Sequence, residues 1–410
     1  MNELLQQVAT EFGTPCYVYC IDQIRSRCQL VKDVFGSRFQ ISYAVKCNPN
    51  RGLLERLREC VDLLDISSVG ELHRAIDAGW SASSLSFTGP GKRPHEIEEA
   101  VRVGIGEMVV ESVPEAIALN RYAEQLGRVQ PVLVRISPAK LPRGFGVRMA
   151  GRPSQFGIDE EDIDLEMPRI QSLSNLEIRG LHIYSGTQCL NTQSVIENYS
   201  IMIDLFRRVA HTHDLSPQRL VFGSGLGIPY YQEHEPIDLN EVASETCPML
   251  DALRGEQRFS EAKCVLETGR FIVGEAGYFL TGVVARKHSR GTEFAILDGG
   301  MNHHLGACGH LGTVIHQNHR MFKVSPDGAG ESATQKYDLV GPLCTTIDTV
   351  GHDVELTELE IGDVIAIQSS GAYGRSASPL GFISHKAPKE ILLDVTGTGP
   401  DLHDVTESWP

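Results

Sequence analysis

Several side chains that can do chemistry stand where apolar runs of the sequence end. They are a lysine, an aspartate, a histidine and an acidic–basic pair, namely Lys46, Asp65, His182, Glu267 and Arg270. A lysine beside an apolar run can lose hydration, which lowers the pKa of its amine and suits it to imine formation. Each residue taken alone has a simpler explanation, because surface lysines, ion pairs and core histidines are common.

A glycine-rich segment, G-S-G-L-G at 223–227, follows another apolar run. The backbone N–H groups of such a loop can converge on a phosphate, although most loops of this kind are only tight turns. The whole set matches pyridoxal phosphate, which needs an amine for an imine, phosphate donors, a carboxylate for its ring nitrogen and a ring to stack on. That cofactor is an electron sink for a carbanion at Cα. The combination therefore predicts a pyridoxal-phosphate enzyme.

The elements that must position these residues alternate between strand and helix. This alternation favours parallel strands closed into a (β/α)8 TIM barrel of the α/β class, with an open doubly wound sheet as the alternative. In such a barrel the functional side chains gather at the carboxyl ends of the strands, where the residues above lie. The eight predicted strands are 40–45, 61–66, 84–87, 107–111, 131–136, 176–184, 220–222 and 263–267.

Beyond residue 277 the strand patterns continue but the helical crossovers do not. This change indicates a second, mainly antiparallel β domain. We expect a strand at 15–19, just before the first barrel helix at 21–35, to join that domain. The predicted strands of the second domain in the later part of the chain are 282–286, 293–297, 335–340 and 363–368.

These patterns divide the chain into two parts. The predicted barrel covers residues 21–277, and the β domain is discontinuous, with residues 1–20 and 278–410. Because the last segment, 397–410, is polar and acidic, we expect it to fray.

The composition narrows the class of protein. The 410 residues include 37 Lys and Arg against 53 Asp and Glu, which gives a formal charge of −16. Such an acidic protein does not suit general binding of nucleic acid or of an anionic membrane. No apolar run reaches the roughly 18 residues of a membrane span, and the first residues, MNELLQQVATEFG, lack the features of a signal peptide. The ten scattered cysteines never form C-x-x-C, which favours reduced thiols and a cytoplasmic location.

Four motifs resemble the fold-type III pyridoxal-phosphate decarboxylases, the group of the ornithine, arginine and diaminopimelate decarboxylases. The resemblance covers nearly the whole chain. It implies the barrel and β domain of that group, a lyase of amino-acid metabolism, and a homodimer with active sites at the subunit interface. The motifs occur in the family's order: Y-A-V-K-C-N at 43–48, H-I-Y-S-G-T-Q at 182–188, E-T-G-R at 267–270 and G-P-L-C at 341–344.

The resemblance implies a catalytic role for four residues. Lys46 would bind the cofactor covalently, His182 would stack on its ring, and Glu267 would keep the ring nitrogen protonated. Cys344 would enter from the partner subunit and give a proton to Cα, which a thiol with an ordinary pKa of about 8.5 can do.

The resemblance also implies supporting residues. Asp65 and Arg135 would surround the lysine, and Asp348 would be a carboxylate on the substrate side. The cofactor phosphate would be held by Ser185, Gly223, Gly225, Arg270 and Tyr373.

Two positions depart from the family pattern. Ser224 stands where the family usually has a third glycine, and it weakens the loop only if the backbone there needs a positive φ. Thr345 follows Cys344 where the resemblance implies Asp in diamine enzymes and Glu in diaminopimelate enzymes. Because a neutral side chain cannot pair with a distal ammonium, Thr345 disfavours free ornithine or diaminopimelate as the substrate.

Three further stretches are similar to a biosynthetic side branch of the family. That branch includes the butirosin-pathway decarboxylase of a glutamyl group on an acyl carrier protein, and decarboxylases associated with exosortase and polysaccharide loci. A side-chain carboxyl masked as a thioester carries no charge, which agrees with Thr345. However, a chain of charge −16 repels an acidic carrier protein unless a local basic patch, such as 286–290, receives it. The stretches are F-T-G-P-G-K at 87–92, R-M-A-G-R-P-S-Q-F-G-I-D at 148–159 and L-D-G-G-M-N-H-H-L at 297–305.

The expected reaction is decarboxylation of an L-α-amino acid or of its acylated or carrier-tethered derivative. The alternative substrate is free diaminopimelate or another free amino acid. An amino-acid racemase on the same barrel is a second class, which Glu267 disfavours because the resemblance implies Arg there in racemases. A cofactor-binding protein without activity is the third, and retention of the catalytic set disfavours it.

A group of histidines near 303–310 is the last candidate. His303 and His304 are expected to touch the distal end of the substrate. Together with Cys308 and His310 they have a spacing that fits no standard zinc site, so no metal is expected.

Overall fold

The computed structural model describes residues 1–309, 317–325, 333–395, 397 and 399–408. Its strands in chain order are β1 (Cys16–Cys20), β2 (Phe39–Ala44), β3 (Leu63–Ile66), β4 (Leu85–Phe87), β5 (Glu107–Val110), β6 (Gln130–Ser137), β7 (Phe145–Arg148), β8 (Ile158–Asp159), β9 (Leu176–Ile183), β10 (Gly186–Cys189), β11 (Arg219–Gly223), β12 (Lys263–Thr268), β13 (Gly277–Ser289), β14 (Thr292–Leu297), β15 (Met321–Lys323), β16 (Thr334–Val340), β17 (Thr349–Thr357), β18 (Val364–Ile367), β19 (Lys389–Asp394) and β20 (Asp401–Asp404). Its α-helices are α1 (Asn2–Phe12), α2 (Ile21–Phe35), α3 (Arg51–Leu57), α4 (Val69–Asp77), α5 (Pro94–Val103), α6 (Val113–Gln125), α7 (Ile163–Gln171), α8 (Thr192–Thr212), α9 (Leu239–Gly255) and α10 (Arg270–Val273).

Eight parallel strands form a closed barrel. Hydrogen-bonded neighbours follow the order β5-β4-β3-β2-β12-β11-β9-β6, and pairing of β6 with β5 completes the ring. The eight predicted barrel strands are confirmed, and ring closure excludes the open doubly wound sheet. Apolar side chains fill the barrel interior, as expected for this architecture. They include Val109, Leu133, Val221 and Val265 from four different strands.

Polar side chains fix where the barrel helices begin. At the start of each of five helices, one side chain accepts a hydrogen bond from a backbone N–H two or three residues later, which satisfies a donor that the helix leaves unpaired. These caps set the direction in which the chain leaves the barrel mouth. The capping residues are Asn50 for α3, Ser68 for α4, Ser112 for α6, Asn191 for α8 and Asp238 for α9.

The second sheet has the predicted position in the chain but is mixed. Its strands follow the order β17-β16-β14-β13-β1-β19-β20, with β18 pairing to β13 and β15. Most pairs are antiparallel, whereas β1 with β19 and β14 with β16 are parallel. The predicted strand at 15–19 does join this sheet, as β1. Several elements were not predicted, including β17, whose polar residues hide the strand pattern, and α7, which contains Pro168. The division at residues 20 and 277 stays a prediction.

Residues 399–408 of the terminal segment are packed against the rest of the chain, which corrects for these residues the expectation that 397–410 frays. Strand β20 pairs antiparallel with β19. Beyond it, the Glu407 carboxylate pairs with Arg51 and Arg74, and its backbone oxygen accepts a hydrogen bond from Arg375 at 2.7 Å. Polar composition predicted fraying, but here the polar side chains have charged partners on α3 and α4.

Within the described ranges, no helix has both the length and the apolar character that a membrane span requires.

We expect truncation after Gly399 to lower the thermal unfolding midpoint by about 5 °C or more. The truncation removes β20, which pairs with β19, and it removes Glu407 O, which accepts a hydrogen bond from Arg375. Differential scanning calorimetry measures this change. A chain that ends at Ser408 is the matched control and should melt like the full-length protein. Equal midpoints for the two truncated proteins would contradict a packed terminal segment.

Candidate active site

The predicted site residues meet at one end of the barrel. Lys46 lies two residues after the end of β2, and Asp65 lies in β3 beside Ala44 of β2. Glu267 lies in β12, the other neighbour of β2, and farther round the ring Arg135 of β6 is paired in register with His182 of β9. Since the strands are parallel, their carboxyl ends share one rim, and the register brings the side chains together.

Lys46 faces two buried carboxylates. Its Nζ lies 3.3 Å from Asp65 Oδ2 and 3.8 Å from Glu267 Oε1. The lysine side chain is 35% exposed, whereas the two carboxylates are 1% and 2% exposed, so the amine lies at the open side of the group. Burial by itself would lower the pKa of Lys46, but the charges of Asp65 and Glu267 hold that pKa well above its ordinary value. This corrects the lowered pKa expected from the sequence, which took account of lost hydration but not of the two carboxylates.

The two carboxylates differ in their surroundings. Burial and the nearby charge of Glu267 raise the pKa of Asp65 to about 6, against the opposing effect of Lys46. For Glu267, burial raises the pKa, but the hydrogen bond with His182 and the charges of Lys46 and Arg135 outweigh burial and lower it. Glu267 Oε2 lies 2.9 Å from His182 Nε2. Glu267 is therefore the carboxylate that this site keeps ionised.

Arg135 supplies its positive charge from a fixed position. Its Nη1 donates to both carboxylate oxygens of Glu111, at 3.0 and 3.1 Å, and both side chains are buried. Glu111 also accepts hydrogen bonds from the backbone of Gly89 and Gly157. This pairing fixes Arg135 at the rim, without a direct contact to Lys46 among the described interactions, and the supporting role that the resemblance implies for it stays a prediction.

The glycine-rich loop fits tightly against its neighbours. A Cβ on Gly223 would lie 2.5 Å from the Tyr184 ring. Gly225 has a φ of 69°, and a Cβ there would lie 2.7 Å from Phe145. Ser224 does not have a positive φ, and its backbone N–H donates to Glu267 O at 2.9 Å. The serine that departs from the family pattern is therefore compatible with the loop.

Arg270 and Tyr373 contact each other at the same rim of the barrel. The Arg270 guanidinium lies 4.7 Å from the Tyr373 ring centroid, and it donates to the Tyr230 hydroxyl at 2.6 Å. Tyr373 has a φ of 56°, which is unusual for a residue with a side chain. Its backbone N–H donates to Cys47 O at 2.8 Å, and Cys47 Sγ lies 3.0 Å from its hydroxyl. The residue after Lys46 thus holds Tyr373 in this conformation.

Five buried polar atoms at this rim have no hydrogen-bond partner within the described chain. Burying such an atom without a partner is costly, and a native site normally satisfies it. Donors and acceptors of this kind suit a ligand with a phosphate and an aromatic ring nitrogen, so the residues present fit the predicted cofactor. The atoms are Asp65 Oδ1, His182 Nδ1, Ser185 Oγ, Glu267 Oε1 and Arg270 Nε.

The loop that carries Cys344 projects from the second sheet. Cys344 is exposed, and Thr345 is half-buried with its N–H bonded to Leu343 O at 2.8 Å. Asp348 is buried, and its carboxylate accepts from the backbone N–H groups of Met301 and Leu343 at 2.6 and 2.8 Å. Both oxygens of Asp348 thus hold backbone groups beside the loop, and its contact with substrate stays a prediction.

The two predicted histidines differ in position. His304 is buried, lies beside Arg270 and Tyr373 in the wall of a cavity, and bonds Ser370 Oγ through Nε2 at 2.9 Å. Burial lowers the pKa of His304 to about 3, so the ring is neutral. His303 instead bonds Lys386 O at 3.0 Å and is not among the described residues in the wall of that cavity, so its contact with substrate stays a prediction.

The other members of the histidine group do not gather around a common point. Cys308 is buried, and burial raises the pKa of its thiol. His310 lies outside the described residues. Within the described chain, no cluster of three or more His, Cys, Asp or Glu side chains has the arrangement of a metal site.

Two residues of the predicted basic patch at 286–290 are paired with carboxylates. Arg286 pairs with Glu360 at 3.1 Å, and His288 pairs with Glu293 at 2.6 Å. These carboxylates come from neighbouring parts of the second sheet. The segment therefore has less free positive charge than its composition suggests.

Sequence reasoning missed three residues of the site. Tyr230 accepts from Arg270, Cys47 holds Tyr373, and Glu111 fixes Arg135. Cys47 has a sequence signal, since it directly follows Lys46. Glu111 ends a predicted strand and could have been found as the other strand ends were. Tyr230 follows a loop without a regular pattern and has no such signal.

Comparison with known proteins gives consistent matches over nearly the whole chain. The family model described as "Pyridoxal-dependent decarboxylase, pyridoxal binding domain" matches residues 21–274. The chain is 34% identical to the L-glutamyl-BtrI acyl-carrier protein decarboxylase of Niallia circulans, over 93% of this chain and 89% of that protein. It is 30% identical to the diaminopimelate decarboxylase of Pseudomonas aeruginosa, over 98% and 92%. The structure of diaminopimelate decarboxylase from Helicobacter pylori complexed with L-lysine has 28% identity and a TM-score of 0.85, with 98% and 96% covered.

We expect Asp65→Asn to move the titration of Lys46 to lower pH in the cofactor-free protein. The substitution removes a negative charge that favours the ammonium, so the pKa of the lysine falls. Amine labelling across a pH series, quantified at the Lys46 peptide by mass spectrometry, measures the midpoint. Asp77→Asn, on the exposed part of α4, is the control. The same midpoint in both variants would show that Asp65 does not set the charge of Lys46.

Proposed function

Because the chain belongs to the family of pyridoxal-dependent decarboxylases, we propose that it decarboxylates an amino acid tethered to an acyl carrier protein through its side chain. The enzyme is a lyase that uses pyridoxal 5'-phosphate, on a TIM barrel with a mixed β sheet. We also propose the subunit arrangement and the part that each residue plays.

The residues at the barrel rim can hold the cofactor at three points. Lys46 provides the amine for the covalent imine, and Glu267 provides the carboxylate for the ring nitrogen, with His182 beside it. Ser185, Gly223, Gly225, Arg270 and Tyr373 form the phosphate end of the site, where the buried Ser185 Oγ and Arg270 Nε lack partners in the described chain. When bound, pyridoxal phosphate supplies an electron sink for the pair that departing carbon dioxide leaves on Cα.

The charges of the site suit this chemistry. Glu267 stays ionised, and an ionised carboxylate beside the ring nitrogen keeps a proton there. A racemase weakens this interaction, so Glu267 favours decarboxylation. Asp65 Oδ2 and Glu267 Oε1 lie 3.3 and 3.8 Å from Lys46 Nζ, so two carboxylates orient the amine. Because the pKa of Asp65 is raised, that carboxyl would be able to hold a proton that the amine gives up when the cofactor binds.

We propose that Cys344 acts across a homodimer interface. Its side chain is exposed in the single chain, at the tip of a loop whose base Asp348 pins by two backbone hydrogen bonds. A thiol that is held on a fixed, projecting loop can enter the site of a second subunit and give a proton to Cα after carbon dioxide leaves. Ile347 in the same loop is 53% exposed, and an exposed aliphatic side chain beside the thiol suits burial against a partner.

The reaction limits where a carrier can be joined to the substrate. The α-amine must be free to form an imine, and the α-carboxylate must be free to leave, so a carrier can be joined only through the side-chain carboxyl. Such a substrate has no distal charge. The neutral Thr345 beside Cys344 suits it, and the similarity to the glutamyl-carrier decarboxylase of Niallia circulans is the observation that carries this choice. Free diaminopimelate is the alternative, from the similarity to the Pseudomonas aeruginosa enzyme.

We place this reaction in a cytoplasmic biosynthetic route. All ten cysteines are free thiols, and eight of them are buried, which suits a reducing compartment. A carrier-bound intermediate is also a feature of assembly pathways rather than of amino-acid breakdown. The partner is then an acyl carrier protein, in addition to the second subunit.

We expect a mixture of Lys46→Ala and Cys344→Ala subunits to recover activity that neither variant has alone. If Cys344 acts in the partner's site, half of the randomly mixed dimers have one intact site, so activity should return to about a quarter of the wild-type value. Formation of the amine product after exchange of the subunits measures it, because Cys344 acts after carbon dioxide has left. The matched control mixes Lys46→Ala with Lys46→Ala,Cys344→Ala, which cannot form an intact site. No recovery in the first mixture would contradict catalysis across the interface.

We expect the wild-type enzyme to decarboxylate γ-L-glutamyl amides faster than free glutamate or diaminopimelate. Amides replace thioesters in this panel because a γ-glutamyl thioester with a free amine cyclises. Loss of carbon dioxide, followed by mass spectrometry of the amine product, gives kcat/KM for each substrate. A preference for diaminopimelate would replace the carrier-tethered substrate with the alternative.

A further inference from the structure

A cavity of about 470 Å³ opens next to the phosphate end of the site. Arg270 and Tyr230 belong to its wall, and the cavity extends from them to β7 and to the start of α8. This volume lies in the range of small-molecule sites, which are roughly 300–1,000 Å³. The remaining residues of its wall are Gly144, Gly146, Val147, Gln188, Leu190, Asn191, Tyr231 and His234.

A smaller cavity of about 70 Å³ adjoins this one at the phosphate end of the site. The two cavities share Tyr230, Tyr231 and Arg270 in their walls, and the smaller one also has His304 and Tyr373 in its wall. We call these two adjoining cavities together the side passage.

Among the described residues that line the side passage, none is a carboxylate, and Arg270 is the permanent cation. Burial lowers the pKa of His304 to about 3, and burial together with Arg320 lowers the pKa of His234, so both rings are neutral at pH 7. The described part of the wall therefore offers no opposite charge to an ammonium group, whereas an uncharged chain needs none.

The shape and chemistry of the walls suit a long chain of methylene and amide groups. Val147 and Leu190 offer aliphatic surface on one side. On the other side the Tyr231 and His234 rings are 4.7 Å apart, and Tyr230 lies 5.0 Å from the His319 ring. Aromatic rings with polar atoms at their edges can bury methylene groups and still bond amides.

Hydrogen bonds hold both sides of the side passage in place. Gln188 has a φ of 59°, and its amide bonds the backbone of Ile228 at 2.7 and 3.1 Å. Arg320 donates to Tyr231 O at 3.0 Å and to His234 O at 2.7 Å. A passage formed in advance costs a flexible ligand less ordering of the protein on binding.

We propose that the side passage receives the phosphopantetheine arm of the carrier, which makes it the part of the enzyme that selects a tethered substrate. This inference rests on the proposed function, because it assumes that the substrate is carrier-bound. The arm is uncharged between its thioester and its phosphate, so it matches a wall without carboxylates. Val147, 40% exposed at the outer part of the passage, becomes a residue that sets specificity.

The test compares a short and a long amide with the same reacting end. The short substrate is γ-L-glutamyl ethylamide, and the long one is the γ-L-glutamyl amide of aminopantetheine. In Val147→Phe, the larger ring fills the passage, so KM for the long amide should rise about tenfold while KM for the short amide stays within about twofold. Val284→Phe is the matched control, since Val284 is an exposed strand valine (50%) outside the passage.

Binding of pantetheine itself gives a readout that does not need turnover. Ligand-observed NMR should detect pantetheine with the wild-type holoenzyme and with Val284→Phe, but not with Val147→Phe. Equal changes of KM for both amides, or equal pantetheine signals in all three proteins, would overturn the side passage as the arm's site. If the wild type prefers the long amide but Val147→Phe leaves that preference intact, the proposed function stands and only this inference fails. If the wild type accepts neither amide, both fail.

Discussion

The charge balance around Lys46 is the constraint on which the rest of the site depends. One ammonium lies between two carboxylates that are almost completely buried, and each charge is stable there only because the others are present. His182 and Arg135 extend this balance to the far side of Glu267, and Glu111 in turn neutralises Arg135. The result is a polar network at the end of an apolar barrel. Networks of this kind tolerate few substitutions, because removing one member leaves another buried without a partner.

The barrel produces this network through register. Each member stands at or just after the end of its strand, so a slip of one residue in any strand would turn a charged side chain toward the helices. The second sheet then adds the residues that the barrel lacks. Tyr373 reaches the rim from the segment after β18, and the exposed Cys344 lies on the segment after β16. The site thus draws on regions more than three hundred residues apart in the chain.

Much of this arrangement could be predicted from the sequence. Strand ends are visible as apolar runs, so Lys46, Asp65, His182 and Glu267 could be placed at one rim, as the structure now has them. Other contacts of the site have no signal in the sequence. Asp348 and His303 bond backbone groups that only the folded chain brings near, and the substrate contacts expected of these two residues stay predictions. The order of the terminal segment depends on Arg51, Arg74 and Arg375, which are distant in sequence.

The contact between Cys47 and Tyr373 has a consequence for stability. Asn48 also donates to Gly371 O at 3.1 Å, so the residues after Lys46 and the segment from 371 to 373 form one seam between the two sheets. A ligand that bonds both Lys46 and Tyr373 adds a second connection across this seam. By thermodynamic linkage, a change that separates the two sheets weakens binding of that ligand, and saturation with the ligand opposes their separation. Binding of the cofactor and association of the two sheets are then linked equilibria.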